Sequence, residues 1–159
     1  NDLSLPDLAK LCDVFYIGGT KCGAMFGEAV VIPDAGRLPH FFTSIKQHGA
    51  LLAKGWLLGL QFDELFKDEL YLHIGEKANA YAREIKAALK DAELPLFGDY
   101  PTNQVFFVIA HEKMEQLKKQ AQYAYMERYD ENSSVIRFCT SWSTREEDVK
   151  KCCEIIRGL

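Results

Sequence analysis

The sequence predicts an α/β chain, and three patterns lead to that class. Residues 13–17 and 28–32 are apolar runs rich in β-formers on either side of a glycine-rich turn. Apolar residues then recur at helical spacing from Phe42 to Ala88. From Gln104 onward, strand-like and helix-like segments follow one another. Short β-branched or aromatic runs bounded by Gly, Pro or Asp read as strands, and apolar repeats at i, i+3, i+4, i+7 read as helices.

Ser4, with Pro6 and Asp7, marks a helix start, and Leu5, Leu8 and Leu11 form the stripe of a short helix over residues 4–11. It feeds a strand at Val14. The two runs around the glycine turn read as buried strands because they carry little but apolar side chains. After Pro33-Asp34-Ala35-Gly36 breaks the chain, Phe42, Ile45, Gly49, Leu52, Trp56 and Leu60 keep helical spacing and predict one helix. It is apolar over much of its surface, which suits packing on a second subunit as well as burial within one domain.

A second long helix follows. Tyr71, Ile74, Ala78, Tyr81, Ile85 and Ala88 mark one face, and Glu76, Lys77, Arg83, Lys86 and Lys90 the other. Residues 91–101, with Pro95, Gly98 and Pro101, form a connector. Residues 104–110 are strand-like, 111–119 helix-like through Met114 and Leu117, and 123–128 and 134–140 strand-like. Thr144 with Glu147 offers a capping box to a closing helix, whose Val149, Cys152, Cys153 and Ile156 fall at i, i+3, i+4, i+7. Strand, helix, strand, strand, helix describes a small α+β unit with a helix-covered antiparallel sheet. The domain boundary is placed between Leu60 and Tyr71, giving segments 1–62 and 63–159.

Composition narrows the function classes. The 159 residues are 48% hydrophobic and 26% charged, as in a globular chain. Asp plus Glu exceeds Lys plus Arg by 23 to 19, which argues against a nucleic-acid partner. No apolar run approaches the roughly 20 residues that span a bilayer, so no membrane partner is expected. The five cysteines, Cys12, Cys22, Cys139, Cys152 and Cys153, lack metal-ligand spacing with histidine and read as small buried hydrophobes in a reducing, cytoplasmic setting, with no metal.

Two cations carry the chemistry. Lys21 stands in Gly18-Gly19-Thr20-Lys21-Cys22-Gly23, between the two strand-like runs. A lysine there either reaches solvent as a hairpin residue or meets a partner that uses its amine, and a Schiff base to an aldehyde is one such use. Gly18, Gly19, Gly23 and Gly27 strip side chains from the nearby backbone, which permits tight turns and close approach of a flat ring. The order of residues does not match a phosphate-binding P-loop. Arg137 lies mid-strand, where alternation sets it beside Val135 and Cys139. A guanidinium there needs an anion, and its fork matches a carboxylate, either an internal Asp or Glu or one on a ligand. His48 has an unperturbed pKa near neutrality but reads as structural, and His40, His73 and His111 carry no telling spacing.

Residues 13–32 resemble the cofactor-lysine segment of the threonine aldolase and β-eliminating lyase family, pyridoxal-phosphate enzymes with the aspartate-aminotransferase fold. The resemblance continues through Ile45-Lys-Gln-His-Gly-Ala-Leu-Leu-Ala-Lys-Gly55 and Val135-Ile-Arg-Phe-Cys-Thr-Ser-Trp142, and so covers nearly the whole chain. It implies a carboxy-terminal part of that fold: a remnant of the cofactor-binding large domain followed by a small α+β domain. The large-domain half that carries the ring-stacking histidine, the acid facing the pyridine nitrogen and most phosphate donors is expected on a missing amino-terminal portion. On that expectation the Val14 and Val30 strands are exposed, and the segment before Leu60 is displaced, disordered or paired with another chain.

The resemblance further implies Lys21 as catalytic and cofactor-bearing, with Thr20, Lys46 and Lys54 at the cofactor and Arg137 on the α-carboxylate of an amino-acid substrate. Lys46 matches by position, and Lys54 is offset from the family's usual arginine. The implied reaction is Cα–Cβ cleavage of a β-hydroxy amino acid, threonine to glycine and acetaldehyde, by a homodimer or homotetramer, with this segment alone inactive. β-Elimination or transamination on the same fold is the alternative within the class. A non-catalytic carboxylate-binding or dimerisation module, with Lys21 a turn residue, is the alternative outside it.

Overall fold

In the computed structural model, residues 3–159 are described, and Asn1 and Asp2 lie outside the described residues. Two compact units result, the first ending at Tyr71 and the second running from Leu72 to Leu159.

The first unit opens with helix α1, Leu5–Leu11, whose capping box joins Ser4 and Asp7 reciprocally. Strands β1, Phe15–Gly18, and β2, Glu28–Val31, pair antiparallel in register Phe15 with Val31 through Gly18 with Glu28. They form a two-stranded sheet of their own. The expectation of buried strands is corrected here: Val14, just before β1, is 43% and Val30 of β2 is 55% exposed, because the two strands pair only with each other. Exposure of the Val14 and Val30 strands was itself expected, and it is present.

The single helix expected across Phe42 to Leu60 is two. Helix α2 spans Phe41–Gln47 and α3 spans Trp56–Phe66. Gly49 takes φ +66°, its N–H donates to the Lys46 carbonyl, and the Ala50 N–H donates to the Ile45 carbonyl. This paired 5→2 and 6→1 pattern is a Schellman stop, which glycine enters without a Cβ penalty. The apolar repeat keeps its phase across the stop, so periodicity alone joined the two helices.

Helix α4, Leu70–Asp91, follows a short 3₁₀ turn, Lys67–Glu69, with Asp68 and Glu69 at positive φ. In the second unit, strands β3, Gln104–Ala110, β4, Ala124–Arg128, and β5, Ser133–Cys139, form an antiparallel sheet in the order β3-β5-β4. Helix α5, His111–Lys118, links β3 to β4, and α6, Glu146–Arg157, closes the chain. Val105, Phe107 and Ile109 of β3 and Ile136 and Phe138 of β5 bury one sheet face against Ile85 and Leu89 of α4 and Val149 and Ile156 of α6. The buried Thr140 hydroxyl donates to the Ala78 carbonyl at 2.7 Å and ties the end of β5 to α4.

Two smaller expectations are corrected. Thr144 does not cap α6, because the helix begins at Glu146 with Arg145 as its cap residue. The Thr144 hydroxyl instead accepts from the Ser141 N–H at 2.8 Å, stabilising the turn before the helix. Of the cysteines, Cys153 alone is buried and Cys139 is exposed, because Cys139 ends β5 on the face away from the helices. All five are free thiols.

Phe107 is fully buried and contacts Phe138 ring to ring at 5.4 Å between centroids. Phe107→Ala is expected to cost about 3–5 kcal/mol. A urea unfolding midpoint within error of the parent chain would remove Phe107 from the centre of the core.

Candidate active site

The Lys21 turn is built by packing rather than by open space. Lys21 lies in a 3₁₀ turn, Thr20–Cys22, entered from the end of β1 and left through Gly23 at φ +100°. Gly19 is buried, and a Cβ there would stand 2.9 Å from the Phe62 ring and 2.8 Å from the Ala24 methyl. At Gly27, with φ +89°, a Cβ would fall 2.1 Å from a Leu58 methyl. The expectation that these glycines clear space for a flat ring is therefore corrected for Gly19 and Gly27, whose missing side chains make room for α3. Gly18 still fits it, since its Cβ would meet nothing closer than Glu28 Oε1 at 3.9 Å.

Two side chains outside the turn fix its backbone. Gln61 of α3 accepts from the Met25 N–H at 2.7 Å and donates to the Phe26 carbonyl at 3.2 Å, closing the loop between the turn and β2. The Tyr71 hydroxyl donates to the Gly18 carbonyl at 2.9 Å, immediately before the turn, and its ring stacks on Phe66 at 5.2 Å. Burial, with the Cys22 thiol beside it, pushes the Tyr71 hydroxyl up to about 12. Sequence reading placed Tyr71 on a helix face and passed over Gln61. The one available signal was a lone amide inside the otherwise apolar run from Trp56 to Leu60 and Phe62.

Lys21 itself is exposed, and no carboxylate lies within ion-pair distance of it among the described residues. Thr20 is exposed in the same turn, Lys46 is exposed in the last turn of α2, and Lys54 is exposed just before α3. All four belong to the first unit. By geometry alone Lys21 is an exposed hairpin lysine. By chemistry alone, a free amine such as that of Lys21 can take an aldehyde, and hydroxyl or ammonium groups such as those of Thr20, Lys46 and Lys54 can take a phosphate.

Arg137 belongs to the second unit, on the sheet face away from the core helices. Antiparallel pairing sets it opposite Phe106 on β3 and Ala124 on β4. Its guanidinium lies over the Phe106 ring at 5.8 Å, and NH1 donates to Gln104 Oε1 at 2.9 Å. Its Nε is buried without a hydrogen-bond partner. No Asp or Glu pairs with it among the described residues, so the internal ion pair left open by the sequence is absent there. An unanswered buried donor costs about 1–3 kcal/mol, and a charged one more.

A curated low-specificity L-threonine aldolase from a Pseudomonas species is 28% identical over 150 residues, which are 92% of this chain and 42% of that protein. Another, from Pseudomonas aeruginosa, is 27% identical over 146 residues, 91% of this chain and 41% of that one. The solved structure of a Leishmania major threonine aldolase matches with a TM-score of 0.93 and 39% identity, covering 99% of this chain and 46% of that one. The fold is part of the threonine aldolase fold. The threonine aldolase-like chain spans less than half the length of the curated relatives it matches. No family model matches it. No helix among the described residues is long and apolar enough to cross a membrane.

The Tyr71 hydroxyl gives a pH test. A raised folded-state value, about 12 against an ordinary 10.0, means the native state holds the proton more firmly than the unfolded chain. Its contribution to stability is therefore complete below the unfolded value and lost as pH rises through the folded one. Ultraviolet titration of phenolate is expected to show a last tyrosine ionising near the upper limit, absent in Tyr71→Phe. Identical titration curves for the two proteins would contradict the assignment.

Proposed function

We propose that this chain supplies the lysine and the carboxylate arginine of a pyridoxal-phosphate lyase that cleaves the Cα–Cβ bond of a β-hydroxy amino acid, threonine first among them. The observation that carries the reading is the match to threonine aldolases along nearly the entire chain. Lys21 and Arg137, each free of acid partners among the described residues, are the side chains that suit it.

In this reading Lys21 holds the cofactor through its amine, and Thr20, Lys46 and Lys54 contribute to its phosphate. When bound, the cofactor supplies an electron sink for the pair released from the broken bond. Arg137 takes the α-carboxylate through its planar fork and so fixes which bond of the substrate faces that sink. Phe106 stacked on the guanidinium excludes water from one of its faces and strengthens the pairing. The base that takes the β-hydroxyl proton is not assigned to this chain. The complete enzyme is read as a homodimer or homotetramer whose other half supplies the remaining cofactor contacts, and as cytoplasmic.

The test uses the complete polypeptide with pyridoxal phosphate, reduced by borohydride and mapped by peptide. The expected result is a visible absorption band and an adduct on Lys21, both lost in Lys21→Ala, with glycine and acetaldehyde formed from threonine. No adduct, or one on another lysine, would sink the lyase reading and leave a carboxylate-binding or dimerisation module. An adduct on Lys21 with products of β-elimination or transamination instead would move the assignment to another reaction of the same fold.

A further inference from the structure

The carboxylate site has a second member that the sequence did not single out. Gln104 and Arg137 are diagonal neighbours across the β3–β5 ladder, since Gln104 pairs with Cys139 and Phe106 with Arg137. Diagonal side chains on one face lie within reach when they are long. An arginine offers donors only, so the amide oxygen must be the atom that faces it, and the 2.9 Å contact from NH1 to Oε1 is of that kind. The position is held in turn by its own backbone, whose N–H donates to the Thr102 hydroxyl at 3.3 Å.

We propose that Gln104 is a positioning residue that orients Arg137 through a neutral acceptor and thereby leaves the guanidinium charge available to an amino-acid carboxylate. This rests on the reading of Arg137 given above. A carboxylate at position 104 would make the same hydrogen bond, hold the same rotamer and neutralise the charge. An aliphatic residue would leave the charge and remove the orientation. Phe106 restricts the guanidinium from its ring side, and Gln104 holds NH1, which together settle the plane of the fork. Substrate selection follows: ligands bearing a carboxylate beside the amine gain from the arrangement, and amines lacking it gain nothing.

The experiment compares Gln104→Glu, Gln104→Met and Arg137→Leu in the cofactor-loaded complete polypeptide. Its readouts are KM and kcat for threonine and the equilibrium dissociation constants for glycine and for 2-aminoethanol, a carboxylate-free amine. For Gln104→Glu, which competes for and neutralises Arg137, KM and the glycine dissociation constant are expected to rise about ten- to a hundredfold, as when the charge-assisted hydrogen bond from Arg137 to the ligand carboxylate is lost. With kcat within about twofold, the loss is one of uniform binding. Binding of 2-aminoethanol is expected to stay unchanged. Gln104→Met is expected to raise the glycine constant by less, and it tests the site independently should the acidic variant fold poorly. If Arg137→Leu loses glycine while both Gln104 variants keep it, the positioning role is overturned and the reading of Arg137 stands. If Arg137→Leu keeps glycine, the carboxylate reading fails and the inference with it. Equal loss of glycine and 2-aminoethanol in the Gln104 variants overturns it as general damage.

Discussion

The register of the β3–β5 ladder is the constraint on which the second unit depends. Seven consecutive pairs, from Gln104 with Cys139 to Ala110 with Ser133, send Phe107, Ile136 and Phe138 to the helices and Phe106, Arg137 and Gln104 to the other face. A slip of β5 by one residue would exchange its faces, driving the Arg137 guanidinium into the core and exposing Ile136 and Phe138. Burial stabilises by about 1.5–3 kcal/mol for each large apolar side chain, so the core face alone specifies the register. The polar face inherits its geometry from that choice. The juxtaposition of Arg137 with Gln104 and Phe106 is therefore a consequence of core packing.

The first unit solves a different problem, that of holding an exposed turn still. With β1 and β2 paired only to each other, the strands alone are a weak platform. Rigidity comes from α3 and the start of α4: Phe62 and Leu58 fill the spaces that Gly19 and Gly27 leave, Gln61 bridges two backbone groups, and Tyr71 clips the end of β1. Each substitution of those glycines collides with a side chain of the unit's own helix. A catalytic lysine gains from such support, because placement of a reacting group within a fraction of an ångström is what orientation contributes to rate.

Much of this was legible in the sequence where a pattern was long and single-phased. The strand over 104–110 and the long amphipathic helix through Tyr81 and Ile85 were read close to their observed limits, because alternation by two and by 3.6 leaves few alternatives. Reading failed where a strong local rule met a stronger neighbour. The apolar phase from Phe42 to Leu60 hid the stop at Gly49, and Thr144 had a turn to stabilise before it could cap a helix. The residues that support the two cations were not legible at all. Gln61 acts on a backbone 36 positions away and Gln104 on a side chain 33 positions away, distances at which one sequence carries no pairing signal.

Charge decides how much weight each cation can bear. Carboxylates outnumber cations in this chain, 23 to 19, so an unpaired cation is not for want of acids. For exposed side chains that fact says little: a surface ion pair contributes about 0–1 kcal/mol, and folding exerts scarcely any pressure to form one at Lys21, Lys46 or Lys54. For Arg137 it says a good deal. Half-buried against Phe106, with its Nε shut off from water, the guanidinium sits where pairing is favoured, yet among the described residues its hydrogen-bond partner is a neutral amide. Among the four candidate cations, Arg137 is thus the one whose half-buried surroundings would favour an anion most, whereas Lys21 owes its placement to the turn that presents it.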